Sequence, residues 1–145
     1  MYSAEGKVSP ERFIAALVDF SDHRPKYWPG QTRNQFRLIE QGKDWALVRE
    51  GTLTVWEQSR YDWSKLGRVV STVEESNFLK PGTTWAFHVT KRANGGCRVD
   101  VVLERDFTGW QGNIVEGLSR LPGSTSVFER VLRQTMGILE REEPR

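Results

Sequence analysis

The chain has 145 residues, of which 37% are hydrophobic and 28% are charged, and 21 basic residues against 19 acidic ones leave a formal net charge of +2. This composition is typical of a folded globular protein and excludes a disordered chain, and the length suits one domain over 1–145 with a sizeable core. Because the charges nearly balance and no block of like charges occurs, we expect no nucleic acid among the partners.

Other features of the composition exclude further classes. No apolar run approaches the ~20 residues that an integral membrane segment needs, and the N-terminus lacks the pattern of a signal peptide. The single cysteine, Cys97, cannot form an internal disulfide, which suits a reducing compartment, so we expect a cytoplasmic protein. His23 and His88 are far apart and have no metal-ligand spacing, so we expect no metal site and no cofactor.

The N-terminal region predicts a weak strand followed by a helix. Residues 1–8 alternate loosely between apolar and polar side chains. Ser9-Pro10-Glu11 then has the signature of a helix start: a serine cap, a proline at the first helical position and an acid in the first turn. Residues 19–24 predict a second short helix or a bend, which Pro25 and Pro29-Gly30 end.

Between about Gln35 and Phe107 the pattern changes to strands separated by frequent turn signals. The clearest turn is Asn94-Gly95-Gly96, which predicts a hairpin between two alternating runs. Short connections favour antiparallel neighbours, so we expect a meander. The predicted strands are 35–41, 45–50, 53–63, 68–78, 84–92 and 97–107.

Two of these strands indicate their buried face. Trp85, Phe87 and Val89 alternate with polar or small residues. In the next strand the residues at 97, 99, 101 and 103 form a similar apolar set, as in a sheet covered on one side. The strands at 45–50, 53–63 and 68–78 stay undecided, because either parity places a polar group inside.

The C-terminal region predicts a loop at 109–112, a short helix at 113–121 and a long helix at 124–142. The last is the longest amphipathic run in the chain, and it follows the helix-breaking pair Pro122-Gly123. Its predicted buried face comprises Val127, Phe128, Val131, Leu132, Met136, Ile138 and Leu139. We therefore expect an α+β fold in which a curved antiparallel sheet of six or seven strands wraps around this helix, with a candidate cavity between them.

Several stretches carry a family resemblance: residues 10–30, Trp45-Ala46-Leu47-Val48-Arg49-Glu50-Gly51, Arg60-Tyr61-Asp62-Trp63-Ser64, and Ser76-Asn77 with Pro81-Gly82 and Trp85. In these the chain resembles the START/Bet v 1-like, helix-grip superfamily and, within it, the polyketide cyclase/dehydrase-like (SRPBCC) proteins of bacteria. The resemblance implies a hydrophobic cavity that holds a lipid, a polyketide or another apolar small molecule, and in some members a cyclisation or dehydration. None of the stretches is a catalytic signature, so the resemblance concerns the fold more than the activity.

The family normally opens with a full strand, whereas only eight residues precede Ser9. A short first strand would leave a sheet edge open to pairing with another copy. We therefore expect a monomer or a homodimer.

Glu50 and Arg60 are the most informative polar candidates. If Ala46 and Val48 face the core, so does Glu50, and if Trp56 faces the core, so does Arg60. On adjacent inward strands the carboxylate and the guanidinium would pair and orient a ligand. The alternative is a surface ion pair.

Several other residues are candidates for a ligand contact or for a structural role. Asn77 either donates to a ligand or forms a turn. Trp28 and Trp110, in predicted loops, are candidates for the mouth of a cavity. Cys97 is expected to be a small core residue, and both histidines are expected at the surface. The predicted ligand-binding set is Trp28, Glu50, Trp56, Arg60, Asn77, Trp85, Phe87, Phe128 and Leu132.

The leading functional hypothesis is the binding of a hydrophobic or amphipathic small molecule between the sheet and the C-terminal helix. The alternative is a cyclase or dehydratase that uses general acid–base groups, for which Glu50, Arg60 and Tyr61 are available, although no catalytic residue can be assigned. A third hypothesis is a ligand-free interaction protein that dimerises through its N-terminal edge.

Overall fold

The computed structural model describes residues 2–28, 36–51, 54–104 and 124–142, and in the last of these ranges it describes the side chains from Glu129 onward. In chain order the elements are β1 (Tyr2–Gly6), α1 (Pro10–Leu17), α2 (Arg24–Tyr27), β2 (Arg37–Gln41), β3 (Trp45–Gly51), β4 (Trp56–Asp62), β5 (Arg68–Ser76), β6 (Thr84–Lys91), β7 (Cys97–Glu104) and α3 (Ser124–Glu142). The predicted long helix at 124–142 is confirmed.

The strands form one curved antiparallel sheet in the order β1-β7-β6-β5-β4-β3-β2. Strands β2 to β7 are the predicted meander, and β1 joins at the far edge beside β7. The predicted α+β helix-grip architecture is therefore confirmed. The first strand is complete enough to pair over its whole length, from Tyr2 opposite Val101 to Gly6 opposite Cys97.

The start of α1 follows the sequence signal closely. The Ser9 hydroxyl accepts a hydrogen bond from the backbone N–H of Arg12 at 3.3 Å, and Pro10 occupies the first turn. The helix buries Phe13 and Leu17, and it packs on β6.

Helix α3 packs on β1 and also contacts α1 and α2. Leu132 and Leu139 are fully buried, and Met136 lies over the end of β1. At that point Gly6 permits the approach, since a Cβ there would lie 2.8 Å from the Met136 sulfur. The Thr135 hydroxyl donates to the backbone carbonyl of Tyr27 at 2.6 Å, which joins α3 to the end of α2.

The predicted hairpin between β6 and β7 is also confirmed. Gly95 has a φ of +85°, and the Arg92 N–H donates to the Gly96 carbonyl at 2.8 Å. The left-handed conformation at Gly95 explains why glycine follows Asn94 at this turn.

The structure shows which side chains point inward on the three strands that the sequence left undecided. In β3 the side chains of Ala46, Val48 and Glu50 are buried, and these residues pair with Tyr61, Ser59 and Glu57 of β4. Together with the inward residues of β5 to β7 and β1 they form the surface that the helices cover, which we call the inner face. None of the helices in the described ranges combines the length and the apolar composition of a membrane span.

Candidate ligand-binding site

The inner face divides into two halves of different chemistry. The apolar half, on β1, β7 and β6, includes Ala4, Phe87, Val89, Val99 and Val101, all buried. The polar half, on β3, β4 and β5, carries Glu50, Glu57, Ser59, Tyr61 and Ser71 among buried aliphatic side chains. Among the described elements, α1 and α3 make their sheet contacts on β6 and β1, so the helices pack mainly on the apolar half.

A buried ion pair occupies the edge of the polar half. Arg24, which α2 supplies, is only 2% exposed, and its Nε donates to Glu50 Oε2 at 3.3 Å. Its Nη1 donates to the Leu17 carbonyl at 2.8 Å. Charge pairing and the additional hydrogen bonds offset the cost of burying a guanidinium.

Tyr61 completes this network. Its hydroxyl donates to Glu50 Oε1 and accepts a hydrogen bond from Arg24 Nη2 at 3.4 Å. Burial, followed by the negative charge of Glu50, raises the pKa of Tyr61 well above its ordinary value. The phenol therefore remains protonated at any physiological pH, and it serves as a fixed hydrogen-bond donor to Glu50.

Aromatic rings enclose the ion pair. The Arg24 guanidinium lies 4.7 Å from the centroid of the Phe20 ring and 5.7 Å from that of Phe36. Phe20 in turn packs edge-on against Tyr61 at 5.0 Å and lies 6.0 Å from Trp63. This apolar surrounding keeps water away from the charges and strengthens their interaction.

Glu57 lies directly opposite Glu50 in the β3–β4 register, on the same face. Its Oε2 atom is buried and has no hydrogen-bond partner within the described part of the chain. Burial, and secondarily the charge of Glu50, raises the pKa of Glu57 to about 8, and the neighbouring Trp85 side chain acts in the opposite direction. At neutral pH Glu57 is therefore an uncharged acid whose O–H can donate.

Two serine hydroxyls share this environment. Ser59 and Ser71 are 0% and 1% exposed, and neither Oγ atom finds a partner among the described residues. Ser59 lies two residues from Glu57 on β4, and Ser71 pairs with Tyr61 on one side and with Trp85 on the other. An unsatisfied buried hydroxyl costs about 1–3 kcal/mol. We call Glu57, Ser59 and Ser71 the polar triad.

The predicted pair of Glu50 and Arg60 is wrong. Glu50 does face inward, but its cation is Arg24. Arg60 is exposed on the opposite face, where its guanidinium lies 4.1 Å from the centroid of the Trp45 ring. The inward residues of β4 are those of the other parity, so the condition on which Arg60 depended is not met.

Trp56 lies on the same outer face as Arg60. The Arg49 guanidinium lies 4.2 Å from the centroid of its ring. The placement of Trp56 on the inner face is therefore wrong, and with it a contact to a ligand bound there.

Trp28 and Asn77 have structural partners. Trp28 is 9% exposed, its indole N–H donates to the Ala16 carbonyl at 3.2 Å, and its ring meets Phe13 edge-on. The position of Trp28 at a cavity mouth stays a prediction. The Asn77 side chain accepts from the Trp56 N–H at 2.9 Å and donates to the Thr54 carbonyl at 2.7 Å, so it holds the segment that leads into β4. Its contact with a ligand stays a prediction.

Some of the remaining predicted residues lie in the core or on the inner face, and others lie outside the residues that the structure describes. Trp85 and Phe87 lie on the inner face, and Leu132 is buried in α3. Phe128 lies outside the described side chains, and Trp110, the loop at 109–112 and the helix at 113–121 lie outside the described residues. The core role of Cys97 and the surface positions of both histidines are confirmed.

Sequence reasoning missed Arg24 and the polar triad. Ser59 and Glu57 follow from Glu50 once the register of β3 and β4 is known, because opposite residues share a face. No comparable signal marks Arg24, whose ion pair spans 26 positions of sequence. Within the described ranges, no group of three or more His, Cys, Asp or Glu residues could hold a metal ion.

Comparisons with known proteins place the fold. No protein-family model matches the sequence, and no curated protein matches it either. Among solved structures, similar chains include a protein from Thermus thermophilus (TM-score 0.74, 16% identity, 99% of each chain covered) and a START superfamily protein from Mycobacterium smegmatis (0.73, 11%, 97% of this chain and 96% of that chain). The Zhui aromatase/cyclase from a Streptomyces species is similar as well (0.76, 11%, 97% and 92%). At these identities the likeness shows the fold, and the resemblance read from the sequence is confirmed at that level.

Proposed function

We propose that this chain, whose fold is the helix-grip fold of START and Bet v 1-like proteins, binds a hydrophobic or amphipathic small molecule against the polar half of its inner face. One observation carries the proposal. Three polar side chains, those of the polar triad, each have a buried oxygen without a partner in the described part of the chain, on one face of one sheet. Buried polar groups in proteins are almost always satisfied, so such a group of exceptions calls for an external partner.

Apolar contacts would supply most of the affinity. Trp85 and Phe87 lie beside the polar triad on the inner face, and the rings around Arg24 border it. Burial of apolar ligand surface contributes about 25 cal/mol per Å² without any catalytic group. A few hydrogen bonds from the polar triad would then fix the orientation, as in most small-molecule sites. The cavity expected between sheet and helix remains a prediction.

The similar solved structures support the general kind of function proposed here. The Mycobacterium protein is described as a START superfamily protein and the Streptomyces protein as an aromatase/cyclase, and both share the fold along nearly the whole chain. Folds of this kind host several functions, so the argument for binding rests on the site itself.

The second candidate function is catalysis, and the protonation of Glu57 favours it. A carboxyl group with a pKa of about 8 in an apolar site is suited to general acid chemistry on a carbonyl compound. Glu50 is less suited, because Arg24 and Tyr61 already engage both of its oxygens. If the protein is an enzyme, Glu57→Gln should abolish turnover of an identified substrate while its binding persists. Turnover that survives this change would exclude Glu57 as the acid.

The test of the binding proposal is native mass spectrometry of the purified protein beside a denatured, solvent-extracted sample. The expected result is a co-purifying small molecule, or uptake of one after incubation with a panel of lipids and polyketide-like compounds. A protein that remains empty throughout would contradict the proposal and favour the ligand-free alternative. The same spectrum distinguishes a monomer from a homodimer.

A further inference from the structure

We infer that the polar triad is a subsite for an uncharged oxygen acceptor, such as a keto or hydroxyl group on an apolar skeleton, and that it discriminates against carboxylates. This inference rests on the proposed function and gives the chemical class of the ligand. It concerns Glu57, Ser59 and Ser71, none of which the sequence identified.

The polar groups around Arg24 already have their hydrogen-bond partners. Both Glu50 oxygens accept hydrogen bonds, from Arg24 and from Tyr61, and the Tyr61 hydroxyl both donates and accepts. Arg24 also donates to the Leu17 carbonyl and, at 3.3 Å, to that of Asp19. A ligand that used this network would have to break it, at the cost of an unpaired buried charge.

The uncommitted oxygens belong to side chains on one part of the inner face. Glu57 and Ser59 are two residues apart on β4, and the β3–β4 register is regular across both. Ser71 lies on the adjacent strand, opposite Tyr61 and therefore diagonal to Ser59. Diagonal residues have Cβ atoms about 7–8 Å apart, so one ligand oxygen can reach Ser59 together with Ser71 or with Glu57. Glu57 lies opposite Ser76, farther along β5 from Ser71, so two ligand oxygens are needed to engage the whole polar triad.

The hydrogen-bond chemistry of the polar triad selects the ligand. Each serine carries one O–H donor, and the protonated Glu57 carries a third. A keto or hydroxyl oxygen accepts such bonds without adding charge. A carboxylate would bring a negative charge close to Glu50, and the buried cation of this half, Arg24, already pairs with Glu50. The pKa of Glu57 is raised first by burial and then by the charge of Glu50, and both effects also disfavour a ligand carboxylate at this position.

The experiment uses the full chain and a neutral fluorescent probe, Nile red, which is displaced by 2-decanone, 1-decanol, decane or decanoate. At pH 7 we expect the ketone and the alcohol to displace the probe at concentrations at least about tenfold lower than decanoate does, and lower than decane does. One or two hydrogen bonds of ordinary strength correspond to about this factor.

Variants link the preference to the residues. Glu57→Leu should remove most of the preference for the ketone over decane, and the double variant Ser59→Ala/Ser71→Ala should reduce it several-fold. Glu57→Gln, which keeps an N–H donor, should retain it. Glu74→Gln, at an exposed position of β5, is the matched control and should behave as the wild type.

Raising the pH from 6 to 9 should weaken ketone binding in the wild type but not in Glu57→Gln, because only the wild type loses an acidic proton.

Failure of this inference differs from failure of the proposed function. If Nile red and all four compounds fail to bind, the proposed function is wrong. If they bind but decanoate is as effective as the ketone, or the ketone preference survives both Glu57→Leu and the double serine variant, binding stands and the inference is overturned. Should Glu57→Leu not fold, the serine variant and the pH series still decide the matter.

Discussion

The two halves of the inner face belong to the same sheet but differ in how their buried side chains are satisfied. In the apolar half, Val99 and Val101 of β7 belong to one hydrophobic core with Leu132 and Met136 of α3, and all four side chains are nearly inaccessible. In the polar half, an arginine and a glutamate are buried together, and three further polar side chains have an oxygen without a partner in the described ranges. The first arrangement stabilises the fold, whereas the second costs stability and is therefore the better place to look for function.

The largest expected effect comes from breaking the ion pair of the polar half. Arg24→Leu leaves Glu50 buried without its cation, which should lower the free energy of unfolding by about 3–5 kcal/mol. The double variant Arg24→Leu/Glu50→Leu should recover much of that loss. Urea unfolding of the two variants provides the measurement. A double variant as unstable as the single one would show that packing, rather than charge pairing, is the contribution of Arg24.

A side-chain truncation in the apolar half tests whether that half stabilises the fold. Leu132→Ala removes a fully buried side chain of α3 and should cost about 2–5 kcal/mol, because it removes apolar contacts and leaves a cavity. Arg133→Ala, at the neighbouring exposed position, should cost less than about 0.5 kcal/mol and serves as the control. Ligand binding by a folded Leu132→Ala protein should persist. Its loss, with the fold intact, would contradict the separation of the two halves.

Glu57 provides a pH-dependent test of the polar half. Its pKa of about 8 in the folded state exceeds the ordinary value of 4.5, so the folded protein retains a proton that the unfolded chain releases. This contribution therefore reduces stability as the pH rises from about 4.5 to 8. Glu57→Gln should remove the decline and be more stable than the wild type at pH 8–9 by a few kcal/mol, since one pKa unit is worth about 1.4 kcal/mol.

Thermal or urea unfolding from pH 5 to 9 measures this difference, and Glu74→Gln is again the matched control. A difference between wild type and Glu57→Gln that stays constant across the range would show that Glu57 is ionised like an ordinary surface carboxylate.

The smallest expected effect concerns the outer face of the same strands. Arg60→Ala removes a partly exposed cation–π contact with Trp45 and should change stability by less than about 1 kcal/mol. It should leave the affinity for Nile red unchanged, because Arg60 lies on the opposite face of the sheet from the polar triad. A loss of binding of tenfold or more in a stable Arg60→Ala protein would restore the original inward assignment.

Local sequence signals predicted most of the fold. The Ser9-Pro10-Glu11 cap, the Asn94-Gly95 turn and the amphipathic run at 124–142 each depend on neighbouring residues, and each is confirmed. Alternation along β3 links the face of Glu50 to that of Ala46 and Val48, but it does not say which face is inward, and the structure supplies that answer.

The candidate site depends on information that is not local. The apolar ring of Trp56 suggested an inward parity for β4, but Arg49 covers that ring on the outer face, and the register places Glu57 and Ser59 inside instead. The partner of Glu50 is on α2, far away in the sequence, and only the tertiary structure brings Arg24 to it. A serine in a strand has no pattern that distinguishes a buried unpartnered hydroxyl from a surface one.

The most direct measurement of the central claim is residue-resolved NMR of the protein titrated with 2-decanone. We expect the largest amide shift changes at Glu57, Ser59 and Ser71 and only small changes at Val99 and Val101. If the largest changes instead cluster on β1 and β7, or if none exceeds the changes that decane produces, the polar half is not the binding site.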